Sequence, residues 1–447
     1  MDLSLDDIQQ LAPDEASAKA AKGLVIPAKW PKLQFNDAAL WGECQGSGSK
    51  PYQVQIDKSG PAFKCSCPSR KFPCKHGLAL LLLWLQHQTA FTTSDAPAWV
   101  SEWLDSRQNR AEKQEAKKAE AVEKAAAPAD PQATAKREAA RRERMAAGLA
   151  DLQRWLADNI RQGLAQLSSR AEVWQEMAKR MVDAQLPGIA QRLRQLEQRV
   201  GADEHWPARI LAAFGQLQLI IDGFQRLDSL PEPAQADLRA ALGLTTDKEV
   251  VLATGETLSD TWLVLGQRVD EEDRLWVRRV WLLGQASGRR ALLLDFSHGT
   301  RRFDLNLLTG THLKMTLAFY PGAAPLRALV VDTPELISVE ADASPLRSPS
   351  SKTLADLAAA VAANPWQWPL PMMIDQVVPT PNSSGWQLVT ADQLGMPLRI
   401  SDQDVWPLIA EAGGMAVTIF GEWDGENLRP LSAWNPNLVW QEGAANP

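Results

Sequence analysis

Residues 63–78 read FKCSCPSRKFPCKHGL and hold three of the four cysteines in a chain of 447 residues. Cys65 and Cys67 stand one residue apart, as do Cys74 and His76, and six residues separate the two pairs. Three thiolates and an imidazole at mirrored spacings match the donor set of tetrahedral zinc. Each pair presents both donors to one ion only where the backbone bends, and Pro68 and Pro73 flank the loop that must bend. A C-x-C pair can also close a strained disulfide, but a second pair at the same spacing favours metal over redox chemistry. Four protein donors leave no position for a catalytic water, so the expected ion is structural, one per chain. The apolar run GLALLLLWLQH after His76 predicts a buried helix over 77–87. His76 is then the last ligand before the helix, and Cys74 lies just ahead of an N-terminus whose partial positive charge favours thiolate. Cys44 has no paired spacing and stays outside the set.

Upstream, 40–45, 52–57 and 62–67 are short, partly alternating runs separated by GSGSKP and KSGP. Such turn chemistry predicts a small antiparallel meander. A C-x-C pair followed by a C-x-H pair, after a meander and before an apolar helix, resembles the SWIM zinc finger. The stretch QGSGSKPYQVQIDKSGPAFKCSCPSRKFPCKHGLALLL, residues 45–82, is similar to the bacterial SWIM-type family across the whole finger. The resemblance implies zinc ligands at Cys65, Cys67, Cys74 and His76. It implies binding to DNA or protein rather than a defined reaction. It also implies work beside AAA-type ATPases and von Willebrand factor A-domain proteins.

The length exceeds what one compact core holds, so two to four domains are expected. Hydrophobic residues make up 45% and charged residues 23%, enough for real cores. Four cysteines do not make a disulfide scaffold at this size. The acidic N-terminus MDLSLDDIQQLAPDEASAKAAK lacks a charged-then-apolar leader pattern. The apolar run 78–85 is far below the roughly 20 residues that span a bilayer. A cytoplasmic protein with no membrane association is the expectation.

Texture along the chain predicts an α+β, multidomain protein in four zones. Residues 1–105 form the finger zone, with Trp99 and Trp103 on a short closing helix. Residues 106–144 are Ala, Lys, Arg, Glu and Gln broken by APADPQ, with almost nothing apolar larger than alanine, and read as a solvated, partly helical linker. A basic nucleic-acid-binding arm is the sharper reading, weakened by Glu112, Glu115, Glu120 and Glu123. Residues 145–246 carry helical stripes. Met145, Leu149, Leu152, Leu156, Ile160, Leu164 and Leu167 make one continuous face. A second stripe runs from Val173 through Met177 and Met181 and is interrupted at Pro187-Gly188 before Ile189, Leu193 and Leu196. Helices over 210–227 and 234–242, the last stopping at Gly243, complete an up-down bundle. Residues 247–447 alternate strand-like runs with turn chemistry and two helices, 354–363 and 403–412, predicting a mainly antiparallel α+β region. Ten of the eighteen tryptophans lie there, and within strands they are read as packing.

Formal net charge is −7, against a generic nucleic-acid coat, yet Lys50 to His76 carries six bases against Asp57 alone. Lys64, Arg70, Lys71 and Lys75 are the candidate contacts to phosphate or to an acidic protein face. They serve equally to offset thiolate charge around zinc. No phosphate loop, nucleophile elbow or second metal cluster is visible, and Asp295, Ser297 and His298 are too close in sequence for a converging triad. A non-enzymatic interaction protein is the first reading, with protein recognition through the finger. A DNA-binding accessory factor using the finger's basic face is the alternative.

Overall fold

A computed structural model of the chain describes residues 11, 15–45, 50–58, 62–69, 73–109, 131–169, 171–244, 246–272, 275–298, 303, 305, 307–337, 348–383 and 385–443. The finger zone opens with α1 (Glu15–Lys22) and a meander of β1 (Lys32–Phe35), β2 (Ala39–Cys44), β3 (Tyr52–Asp57) and β4 (Ala62–Cys65). Strand β5 (Thr92–Thr93) adds to the free edge of β1 in parallel. The period-two pleat sends alternate side chains to opposite faces. Leu40, Val54, Ile56 and Phe63 meet Leu78–Leu83 of α2 (Lys75–Gln86). Ala39 and Trp41, on the opposite face, pack with Val100 from the helix that spans 98–109. On that same face Gln55 donates to the Trp99 carbonyl at 3.3 Å, and Asp57 pairs with Arg107 at 3.0 Å. Both faces of the finger sheet are therefore covered.

The bundle begins with α3 (Pro131–Gln162), which extends back into the zone expected as linker. Residues 135–144 are exposed and Met145 is the first buried one, so the helix runs on propensity before it reaches a core. Residues 110–130 of that zone lie outside the described residues. The face expected to run unbroken to Leu167 stops at Gly163, which takes φ 91°, and a 3-10 turn covers Leu164–Ser169. Ile160 turns outward as the helix ends. The second stripe divides into α4 (Ala171–Asp183) and α5 (Pro187–Glu197), because Gln185 at φ 62° and Pro187 at the start of α5 reset the chain. Helices α6 (Trp206–Gln225) and α7 (Glu232–Leu242) follow, and α7 ends at a left-handed Gly243. Trp155, Trp174 and Phe214 stack at the centre.

After α8 (Lys248–Thr254) the expected single α+β region is two sheets of one design. Strands β6 (Thr257–Glu272), β7 (Leu275–Gly284) and β8 (Arg290–His298) form a meander, followed by β9 (His312–Phe319) and β10 (Arg327–Val330). Strand β10 pairs in parallel with β8 and antiparallel with β9, while β9 pairs with β6, so the sheet closes on itself. The short β11 (Glu335–Ile337) adds to β9. Helix α9 (Ser350–Ala363) leads to β12 (Leu370–Asn382), β13 (Gly385–Thr390) and β14 (Gly395–Leu398). Helix α10 (Asp402–Ala412) then crosses to β15 (Val417–Trp423), β16 (Leu428–Asn435) and β17 (Asn437–Gln441). Again the third strand, β14, pairs in parallel with the fifth, β16. Both sheets thus have the strand order and directions of the five-stranded, partly open OB-type barrel.

The two barrels pack through one shared apolar layer: Leu263, Leu265 and Trp281 from the first against Met373, Phe420 and Leu431 from the second. Gly266 permits the approach, since a Cβ there would sit 2.9 Å from that of Leu431. Into this layer the second barrel inserts Glu422, fully buried, which accepts from Arg268 (3.0 Å), Arg279 (2.7 Å) and Trp281 (2.9 Å) of the first. Among the described residues, no helix is long and apolar enough to cross a membrane.

Candidate metal centre

Cys65 closes β4, and Cys67 follows two residues later, after Ser66 is tied to Gln53 by backbone and side-chain hydrogen bonds of 3.0 and 2.9 Å. That double tie makes the local bend the C-x-C pair needs. Cys74 is the N-cap of α2. The helix starts at Lys75 rather than 77, so His76 lies inside its first turn and not ahead of it. The reason is that Lys75 and His76 both tolerate helical backbone, leaving Cys74 as the residue with extended φ and ψ. Gly77 packs closely, and a Cβ there would lie 3.1 Å from the Phe63 ring.

The four ligand atoms of Cys65, Cys67, Cys74 and His76 lie within 4.8 Å of one another. His76 presents Nδ1, 3.9 Å from Cys65 Sγ and 4.0 Å from Cys74 Sγ. Tetrahedral zinc with its usual bond lengths sets sulfur and nitrogen about 3.6 Å apart, a few tenths of an ångström closer than these two distances. The Tyr52 ring rests against His76 at 4.9 Å and holds the imidazole plane. His76 and Cys74 are buried, while Cys65 and Cys67 are half-buried.

Hydrogen bonding within the set shifts the donors in opposite directions. Hydrogen bonds with Cys67 and Cys74, reinforced by burial, push the Cys65 thiol far up. The hydrogen bond from Cys65, followed by that from Cys74, holds Cys67 far down as thiolate. Burial works against a charged His76, but hydrogen bonding to Cys67 and Cys74 outweighs it and raises the imidazole to about 9. Metal binding to such a set releases protons, because thiolate and neutral imidazole are the ligating forms. Cys44 is fully buried in the finger core, where burial raises its thiol to about 11, and it stays outside the cluster.

Lys64 on β4 and Lys75 at the start of α2 are exposed beside the ligands. Arg70 and Lys71 lie outside the described residues. Two members of the sequence charge count have structural roles that the count did not distinguish. Lys58 lies 5.0 Å from the ring centres of both Phe35 and Trp84, and Asp57 is taken by Arg107. His298 ends strand β8 opposite Leu275, and Asp295 is engaged by Arg278 at 2.5 Å. The buried Glu422 was not singled out from sequence, although a carboxylate inside the apolar run MAVTIFGEW is a visible anomaly.

Residues 52–85 match the family model of the SWIM zinc finger, and residues 140–242 match that of the SWIM-associated four-helix bundle domain. No curated protein and no solved structure matches the chain.

Proposed function

From a chain that carries a SWIM zinc finger and the helical bundle associated with it, we propose a non-enzymatic interaction protein whose zinc is structural, one ion per chain. The finger recognises a protein partner. One observation carries this reading: among the described residues of the finger, the helix that follows the ligands is not free to enter a DNA groove. Helix α2 is buried from His76 to Leu83 and the second sheet face lies under the 98–109 helix. Base-edge readout needs a helix or ribbon that enters the major groove. Lys64 and Lys75 stay exposed beside the ligands, a small basic surface suited to an acidic protein face.

Charge supports the same choice. OB-type barrels are a known support for oligonucleotides, but fold alone does not assign function. Here residues 370–443 hold nine carboxylates against two arginines, which repels phosphate. The partner class suggested by the family resemblance is an AAA-type ATPase or a von Willebrand factor A-domain protein.

The test uses the full chain and its Lys64→Glu/Lys75→Glu variant. We expect capture of an acidic partner protein to be lost in the variant with zinc retained. DNA affinity should stay at the non-specific level of about 10⁻⁴ to 10⁻⁶ M at physiological salt. Sub-micromolar DNA binding with a salt slope of roughly −0.9 per phosphate, lost in the variant, would establish the accessory-factor reading instead.

A further inference from the structure

We propose that the outer face of α6 packs against the same face of a second copy, so that the chain forms a two-fold dimer through its helical bundle. Ile210, Phe214, Leu217, Ile221 and Phe224 turn one side of α6 into the bundle core. A surface helix with one apolar face normally carries charge on the other. Its neighbours do: Glu172, Glu176, Lys179 and Asp183 are exposed on α4, and Arg194 on α5. Helix α6 does not. Residues 210–221 read ILAAFGQLQLII and hold no charged residue. Leu211 and Leu219 are 49% and 45% exposed there, and Ala208, Ala212 and Gly215 are exposed beside them. Single exposed leucines are ordinary on a protein surface. Two on one helical line, with a glycine midway and no charge from 210 to 221, form a continuous apolar face.

Gly215 points to what covers this face. A Cβ there would meet no atom within 4 Å, so no contact inside the molecule calls for glycine. In a helix interior glycine is less favourable than alanine by about 0.8–1.0 kcal/mol. What it offers is close approach: two helices that cross at glycine reach the low end of the roughly 8–10 Å range of axis separations. Gly215 is also the midpoint of Leu211 and Leu219, four residues from each. A two-fold axis beside it sets Leu211 against Leu219 of the partner subunit, and glycine against glycine. An isologous contact needs a patch that complements itself in this way. A partner of other sequence would need no such symmetry about the glycine. No like charges meet across the axis. The charged residues of α6 are Arg209, paired with Asp203 and Glu426, and Asp222, which accepts from Gln218 at 2.8 Å. One helix pair lies at the small end of protein interfaces, so the dimer is weak and reversible.

The experiment is sedimentation equilibrium of the zinc-loaded full chain, with a monomer–dimer Kd of about 1–100 μM expected. Leu211→Glu/Leu219→Glu sets like charges together across the axis and should weaken the dimer at least about tenfold. Both side chains lie outside the core, so helical circular dichroism should not change. Gly215→Leu raises helix propensity and blocks the crossing. It should weaken the dimer likewise while the unfolding temperature is kept or raised, and it decides the matter if the glutamates disturb the bundle. Gly215→Cys should give a disulfide-linked dimer on mild oxidation, whereas Gln191→Cys, exposed on α5, should not. A chain still monomeric at about 200 μM, a dimer unaffected by either α6 variant, or equal cross-linking at the two cysteines would overturn the proposal. So would capture of a different protein on this face by a monomeric chain.

Discussion

At Cys67, oxygen in place of sulfur changes size little and chemistry completely. A serine hydroxyl does not ionise near neutrality, so Cys67→Ser should drop bound zinc from one per chain to under about a tenth, read by metal analysis after gel filtration. Apparent zinc binding worth about 10–16 kcal/mol is also folding energy in small metal domains. The finger should therefore unfold while the helical signal of the bundle persists. These ligands were legible because a metal loop is local: four donors within twelve residues carry their geometry in their spacing. Glu422 is the opposite case, since its partners lie 154, 143 and 141 residues away. Burial alone would raise its carboxyl, but Arg279 and Arg268, helped by the Trp281 N–H, hold it below the ordinary value of 4.5. Its contribution to stability is thus present above pH 4.5 and is lost as pH falls through the lower folded value. Glu422→Gln should cost about 3 kcal/mol near neutrality. It should also flatten the fall in stability that wild type shows below pH 4.5, as measured by urea unfolding across pH.

At the level of elements, one tight joint in the bundle is where the start of α5 meets the end of α7. A Cβ at Gly188 would be 2.6 Å from the Gly243 nitrogen, and Gly243 holds φ 87°. Gly188→Ala should destabilise the bundle by about 1–3 kcal/mol through overpacking. Gly243→Ala should cost more, because it adds a left-handed conformation to the same clash. An equal unfolding midpoint for Gly188→Ala and wild type would remove that joint from the account. The helical stripes were readable because 3.6-residue periodicity survives in exposed sequence, and Gly243 marked its helix end openly. Strands β12 and β16 were hidden by proline. Pro379 and Pro381 fall where β12 pairs only with β13, and Pro371 where it pairs only with β15, so each missing N–H faces an unpaired edge. Which edge is free is a property of the sheet, and local sequence does not carry it. The short β1 and β5 were likewise invisible, being too brief to show alternation.

On the scale of the whole molecule, a metal-closed finger, a helical bundle and two barrels of one connectivity form separate cores with named joints between them. The bundle reaches the second barrel through Arg209–Glu426 (2.7 Å), Arg199–Asp424 (3.6 Å) and Arg192 to the Trp366 carbonyl (2.6 Å). Leu308 and Leu336 of the first barrel pack against the finger core. Barrel closure depends on single parallel contacts, β8 to β10 and β14 to β16, between strands far apart in sequence, so the sequence texture announced strands without announcing two barrels. That Cys65, Cys67, Cys74 and His76 hold one tetrahedral zinc is the claim most open to a direct check. Cobalt(II) titrated into metal-free full-length protein reports coordination number and ligand type together. A tetrahedral thiolate site predicts intense d–d bands with thiolate charge-transfer absorption, saturating at one equivalent, displaced by zinc and absent in Cys67→Ser. Weak octahedral bands, no saturation, or an unchanged spectrum in Cys67→Ser would contradict it.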